Sequence, residues 1–136
     1  MIVLDCNAAI GMVMETSYGR ALGMLMLDGE EAIAPNFFKI EVTNTLWKYI
    51  RAGSLDMENA EKMFRATVAL VGSFQDDEDL LVEALAEGAR LDHPVYDMLY
   101  FVLARRHAAT LFTLDQKLQK LCDENGVNCV YLDKEF

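Results

Sequence analysis

The stretch His93 to Leu118, HPVYDMLYFVLARRHAATLFTLDQKL, constrains the fold more than any other part of the chain, because it reads as helix, strand and helix with almost no loop between them. From Asp97, the residues Tyr100, Phe101 and Ala104 follow at the spacing of a buried helical stripe within Val95 to His107. Thr110 to Leu114 is then a short apolar run of the length of a strand, and Asp115 stands where it gives way to the helical pattern Gln116 to Asn125. A connection of so few residues forces the helix and the strand to run in opposite directions. The start of the helix, with Asp97, and the end of the strand, with Asp115, therefore emerge at one edge of a sheet.

The remaining chain supplies the rest of that sheet. Ile2 to Leu4 is apolar without alternation, as in a central parallel strand buried on both faces, and Asp5 ends it. Ala8 to Met14 reads as a short helix, and Ser17 to Leu27 as a second one with Ser17 as N-cap, weakened by Gly19 and Gly23 and stopped by Gly29. Ala32 to Ala34 is a second strand. Pro35 is expected to begin a helix that runs to Ala52, with Gly53 as its stop and Phe37, Phe38, Val42, Leu46 and Tyr49 as its core stripe. Ser54 or Asp56 caps the next helix, to Ala69, which makes an antiparallel hairpin with the one before it. Val71 to Phe74 reads as a third strand. Asp76 to Asp79 then load the first turn of a helix that reaches Leu91, Pro94 opens the organising helix, and Gly126 precedes a last strand, Asn128 to Leu132. Strands separated by helices imply a three-layer α/β/α sandwich with a mostly parallel sheet of four or five strands, and the length of 136 residues implies a single domain over 1–136.

Composition narrows the function. No apolar run approaches the ~18 residues of a membrane span, and the start MIVLDCN lacks a basic leader, so a soluble cytoplasmic protein is expected. The three cysteines form no CxxC pair, which argues against a zinc site or a disulfide framework. With 22 acids against 12 bases the formal charge is -10, a balance that disfavours a passive nucleic-acid-binding module. It is compatible with an enzyme that meets phosphate through bound cations.

Topology brings four acids to the carboxyl edge. Asp5 and Asp115 end strands, Glu41 lies in the first turns after Pro35, and Asp97 follows from the short connection above. Gathered carboxylates repel one another by about 4 kcal/mol per pair at 4 Å and an effective dielectric near 20. Hard oxygen donors with positions left to water suit Mg²⁺ or Mn²⁺, whose natural chemistry here is phosphodiester hydrolysis. Taken singly, each acid has a plainer reading: Asp115 and Asp5 as helix caps, Asp97 and, less well, Glu41 as complements to a helix N-terminus. The plain reading is weaker for Glu41 and Asp97, whose neighbours are apolar. Asn7 and Thr113 stand two residues from Asp5 and Asp115, placed to orient those carboxylates, with turn or strand roles as the alternative. Lys117 and Lys120 could reach substrate phosphate, or pair with Asp123 or Glu124. His93 and His107 have no second imidazole at ligand spacing and read as structural or surface residues, and Cys6 reads as a small buried residue.

The segments VLDCNAAI, APNFFKIEVTNTLWKYIRAGSLDMENA, HPVYDMLYFVLARR and LFTLDQKL, in this order and over nearly the whole chain, resemble the PIN domain in the compact form of VapC-type toxins of toxin–antitoxin pairs. The resemblance implies a PIN-like fold with the acidic site at Asp5, Glu41, Asp97 and Asp115, supported by Asn7 and Thr113. It also implies endoribonuclease activity with Mg²⁺ or Mn²⁺ on structured cellular RNA, a homodimer, and a small antitoxin whose tail blocks the acidic groove. Two other readings stay open at this point: a non-catalytic module whose acidic rim recognises a basic peptide, and a PIN-type nuclease acting on structured DNA.

Overall fold

Four short strands, β1 (Ile2–Leu4), β2 (Ala32–Pro35), β3 (Ser73–Gln75) and β4 (Thr110–Phe112), form one parallel sheet in the order β3-β2-β1-β4 in the computed structural model, which describes residues 1–26 and 29–130. β1 is paired on both sides and all of its residues are buried, which is why its apolar run does not alternate. The chain moves outward from β1 through β2 to β3 and then returns to the other flank of β1 as β4. The gap between β1 and β4 is thus the switch point at which ligands of open α/β sheets bind.

Helices complete the three-layer sandwich expected from the sequence. α1 (Cys6–Val13) packs on α2 (Ser17–Leu25), α3 (Phe37–Arg51) and α4 (Met57–Ala69), while α6 (Val95–Arg106) packs on α5 (Leu81–Leu91) and α7 (Gln116–Glu124) and crosses β1, β2 and β4. The sequence marks a stripe on α6, but every residue from Met98 to Ala104 is buried. A helix apolar all round belongs inside, and α6 is the central element of its layer. Among the described residues no helix is long and apolar enough to cross a membrane.

Several boundaries differ from the sequence expectation, each for a local reason. Pro35 ends β2 instead of opening a helix, and α3 begins at Phe37. Asn36 donates its N–H to Gln75 towards β3, so the position of Pro35 would donate towards β1. The β1–β2 pairing has already stopped at Val3 and Ile33, and proline's missing donor costs nothing there. The cap of α2 is Thr16, whose hydroxyl accepts from the Gly19 N–H at 3.0 Å, and not Ser17. α1 starts at Cys6 because Asp5 caps it, and Asp56 rather than Ser54 caps α4 by accepting from Asn59 N–H. The acids Asp77–Asp79 form a short 3-10 turn of their own before α5. The last strand is reduced to one parallel bridge between Leu111 and Cys129, and its expected continuation through Leu132, like the Leu27 end of the second helix, lies outside the described residues.

Candidate active site

The register of β1 and β4 pairs Leu4 with Phe112, so the next residues, Asp5 and Thr113, leave the sheet side by side. Both are buried. Asp5 Oδ1 accepts the Cys6 N–H at 2.7 Å and its Oδ2 accepts the Thr113 hydroxyl at 2.7 Å. Asn7, in the first turn of α1, accepts the Leu114 N–H at 3.0 Å and so ties the start of α1 to the exit of β4. Asp5 therefore both caps a helix and faces the switch point.

A cavity of about 340 Å³ opens at this edge, and Asp5, Glu41 and Asp97 all line it, together with Asn7, Thr45 and Tyr49. Glu41 arrives from the second turn of α3 and Asp97 from the first turn of α6. Each is fastened by one oxygen. Tyr100, one turn after Asp97, donates its hydroxyl to Glu41 Oε1, and His93 Nε2 lies 2.7 Å from Asp97 Oδ2. Glu41 Oε2 and Asp97 Oδ1 have no protein partner among the described residues.

Electrostatics follow from that crowding. Burial pushes the Asp5 carboxyl up to about 7, against the Thr113 hydrogen bond and with help from the charges of Glu41 and Asp97. Glu41 is likewise raised to about 7, first by burial, with the Tyr100 hydroxyl opposing and Asp97 adding repulsion. The phenol of Tyr100 is held protonated by burial and by the acids around it. Burial also pushes the Cys6 thiol up to about 12, as befits an inert packed side chain and not a nucleophile. Among the described residues no Lys, Arg or His lines the cavity to offset the carboxylates.

The other acid of the expected set is placed differently. Asp115 Oδ1 accepts the Lys117 and Leu118 N–H groups at 2.9 and 3.3 Å and caps α7, and its neighbour Leu114 lines the cavity where Asp115 does not. It is linked to the site through its backbone, since its N–H donates to the Thr113 hydroxyl at 3.1 Å. Lys117 and Lys120 lie along α7 away from the cavity lining, and Lys120 pairs with Glu124 at 3.8 Å. Arg105 and Arg106 are paired with Glu83. Tyr100, His93, Thr45 and Tyr49 are site residues that sequence reasoning passed over. The signals were the four-residue spacings of His93 to Asp97 and of Glu41 to Thr45 and Tyr49.

Carboxylate oxygens with one oxygen of Glu41 and one of Asp97 left unpartnered among the described residues fit a hard divalent cation in kind. Among the described residues no group of three or more His, Cys, Asp or Glu side chains is already arranged to hold a metal ion.

No protein-family model matches the chain, and no curated protein matches it in sequence. Among solved structures it is similar to PAE2754 from Pyrobaculum aerophilum, with a TM-score of 0.71 and 21% identity over 88% of this chain and 84% of that one. It is also similar to VapBC2 from Rickettsia felis bound to a DNA fragment from their promoter, with a TM-score of 0.70 and 16% identity over 98% of this chain and 100% of that one. At these identities the likeness is one of architecture, and the chain has a PIN-like α/β fold with three acids converging on its switch point.

Proposed function

We propose that the protein is a metal-dependent endoribonuclease that hydrolyses RNA phosphodiester bonds at the acidic cavity, and that it is the toxin of a toxin–antitoxin pair. The observation that carries this reading is the convergence of Asp5, Glu41 and Asp97 on one cavity that no Lys or Arg among the described residues lines, with the His93 ring against Asp97 as a basic contact. The architectural likeness to VapBC2 supports the toxin–antitoxin part. The homodimer, the antitoxin that covers the acidic cavity and a cytoplasmic location belong to the same reading.

Asp5, Glu41 and Asp97 would hold Mg²⁺ or Mn²⁺, with Asp115 contributing through its uncapped oxygen. A divalent ion bound there would supply Lewis-acid polarisation of the phosphate and a more acidic water. The chain's own residues do the positioning. Thr113 and the Cys6 N–H fix the plane of the Asp5 carboxylate, His93 fixes Asp97, and Tyr100 holds one oxygen of Glu41 so that the other can ligate or orient the attacking water. In the reaction water adds to phosphorus and gives up a proton to a carboxylate or to solvent, while the bond from phosphorus to the sugar oxygen breaks and that oxygen leaves as a hydroxyl after taking a proton from solvent.

Asp97→Asn keeps the shape of the side chain and removes its charge. With Mn²⁺ and unstructured RNA, the purified variant should cleave at least about 100-fold more slowly than wild type while melting at a similar temperature. Cleavage retained by the variant, or by wild type in excess chelator, would sink the proposal. Matched DNA of the same sequence separates a ribonuclease from a deoxyribonuclease.

A further inference from the structure

Beside the acidic cavity a second groove, of about 620 Å³, shares Glu41, Thr45 and Asp97 with it and continues past Phe37, Tyr96 and Lys48. Its volume lies within the range of small-ligand sites. Tyr96 follows Val95 on the first turn of α6, immediately before Asp97, and its ring stacks on Phe37 of α3 with centroids 5.3 Å apart and planes 17° from parallel. Although Phe37 covers one face of the ring, Tyr96 is 62% exposed. The open surface must therefore be the opposite face and the edge of the ring. An aromatic ring that is fixed on one side and bare on the other is a ready stacking surface, because holding it costs no further rotamer freedom on binding.

The surrounding charges say what would stack there. Among the described residues Lys48 is the one basic side chain lining the groove, two turns along α3 from Glu41, and it has no acidic partner there. The other nearby cations are engaged: Lys39 lies over Phe74, Arg51 over Trp47, and Arg105 against Glu83 and Glu87. A chain of net charge -10 does not draw a polynucleotide through a broad basic face, so a contact that does not depend on charge adds affinity that the few cations do not supply. Base–aromatic stacking is such a contact, and it requires a base that is not already stacked in a duplex.

We propose that this groove binds an unpaired base of the RNA strand next to the scissile phosphate, with Tyr96 as its stacking surface and Lys48 against a neighbouring phosphate. The inference rests on the nuclease reading and gives it a substrate class: single-stranded segments rather than duplex. Tyr96 is a substrate-positioning residue through which the carboxylates meet one particular phosphate.

The test measures cleavage of an unstructured RNA with Mn²⁺, and the binding of the same RNA by fluorescence anisotropy, for wild type, Tyr96→Ala, Tyr96→Phe and Lys48→Ala. Tyr96→Ala should raise KM and the dissociation constant about tenfold, which at 1.4 kcal/mol per factor of ten falls within the ~1–3 kcal/mol of a stacked base, and should change kcat by less than about threefold. Tyr96→Phe should restore both, and Lys48→Ala should lower the salt dependence of binding by about one phosphate contact. Equal KM and affinity in Tyr96→Ala, loss in Tyr96→Phe as deep as in Tyr96→Ala, or equal binding of duplex and single strand would each overturn the groove assignment while wild-type cleavage leaves the nuclease reading intact. Tyr96-dependent binding without any cleavage would do the reverse. Absence of both binding and cleavage in wild type would overturn the two together.

Discussion

The Thr113 hydroxyl donates to Asp5 Oδ2 at 2.7 Å across the β1–β4 pair and accepts the Asp115 N–H at 3.1 Å. One side chain thus holds the most deeply buried acid of the cavity and the N-cap of α7 in a fixed relation. The arrangement is a consequence of register, since a threonine one residue earlier or later on β4 would face away from Asp5.

Thr113→Val keeps the shape and deletes the hydroxyl. Asp5 then loses its one side-chain donor among the described residues, in a buried setting, and the Asp115 N–H loses its acceptor in a half-buried one. A loss of about 2–3 kcal/mol in urea unfolding is expected, with Thr113→Ser close to wild type. A loss below about 0.5 kcal/mol would mean that the hydroxyl does not support the carboxylate.

Stability should depend on pH in an unusual direction. Asp5 and Glu41 are both raised to about 7 from unfolded values near 4, so between those limits the folded chain binds more protons than the unfolded one. Their favourable contribution is complete below the unfolded values and disappears as pH rises through about 7. Glu83, held down chiefly by its hydrogen bond from Arg105, and Glu87, held down chiefly by Arg90, work the other way, but their window lies at and below the ordinary glutamate value. In chelator, the unfolding free energy should therefore fall between pH 5 and pH 8 by on the order of 5 kcal/mol if the two acids titrate independently, and Asp5→Asn should take away about half of that slope. Mn²⁺ at about 100 times its dissociation constant should return about 2.7 kcal/mol at pH 8. A melting temperature that climbs from pH 5 to pH 8 in chelator would contradict the assigned burial.

What could be read in the sequence was set by direction and connection length. The few residues between α6 and β4 place Asp97 at the edge where Asp5 leaves β1, and no side-chain detail is needed to see it. The unread parts turn on where single side chains point. Asp115 sits at the expected junction, yet its Oδ1 turns into the first turn of α7, the local competition that an N-cap always offers to a ligand role. Tyr100 matches a core stripe because periodicity registers the ring and is blind to the hydroxyl that reaches Glu41. Thr16 and Ser17 are adjacent residues of the same capping chemistry, and only the backbone turn decides between them.

Glycine gives a test in which two similar substitutions should act with opposite sign. Gly19 and Gly23 both look like weak points in α2, each costing about 1 kcal/mol relative to alanine in a helix. At Gly23 nothing lies within 4 Å of the place a Cβ would take, so Gly23→Ala should stabilise by about 0.5–1 kcal/mol. At Gly19 a Cβ would stand 2.0 Å from the Gly11 carbonyl oxygen, backbone on backbone, where α2 crosses α1. No rotamer can relieve that overlap, and the helices would have to separate. Gly19→Ala should destabilise by about 3 kcal/mol or more, and because Gly11, Met14 and Thr16 form a wall of the acidic cavity, it should also lower any cleavage activity that Gly23→Ala leaves unchanged. Denaturant midpoints that move in the same direction for both variants would show that the close contact of α1 and α2 does not exist in solution.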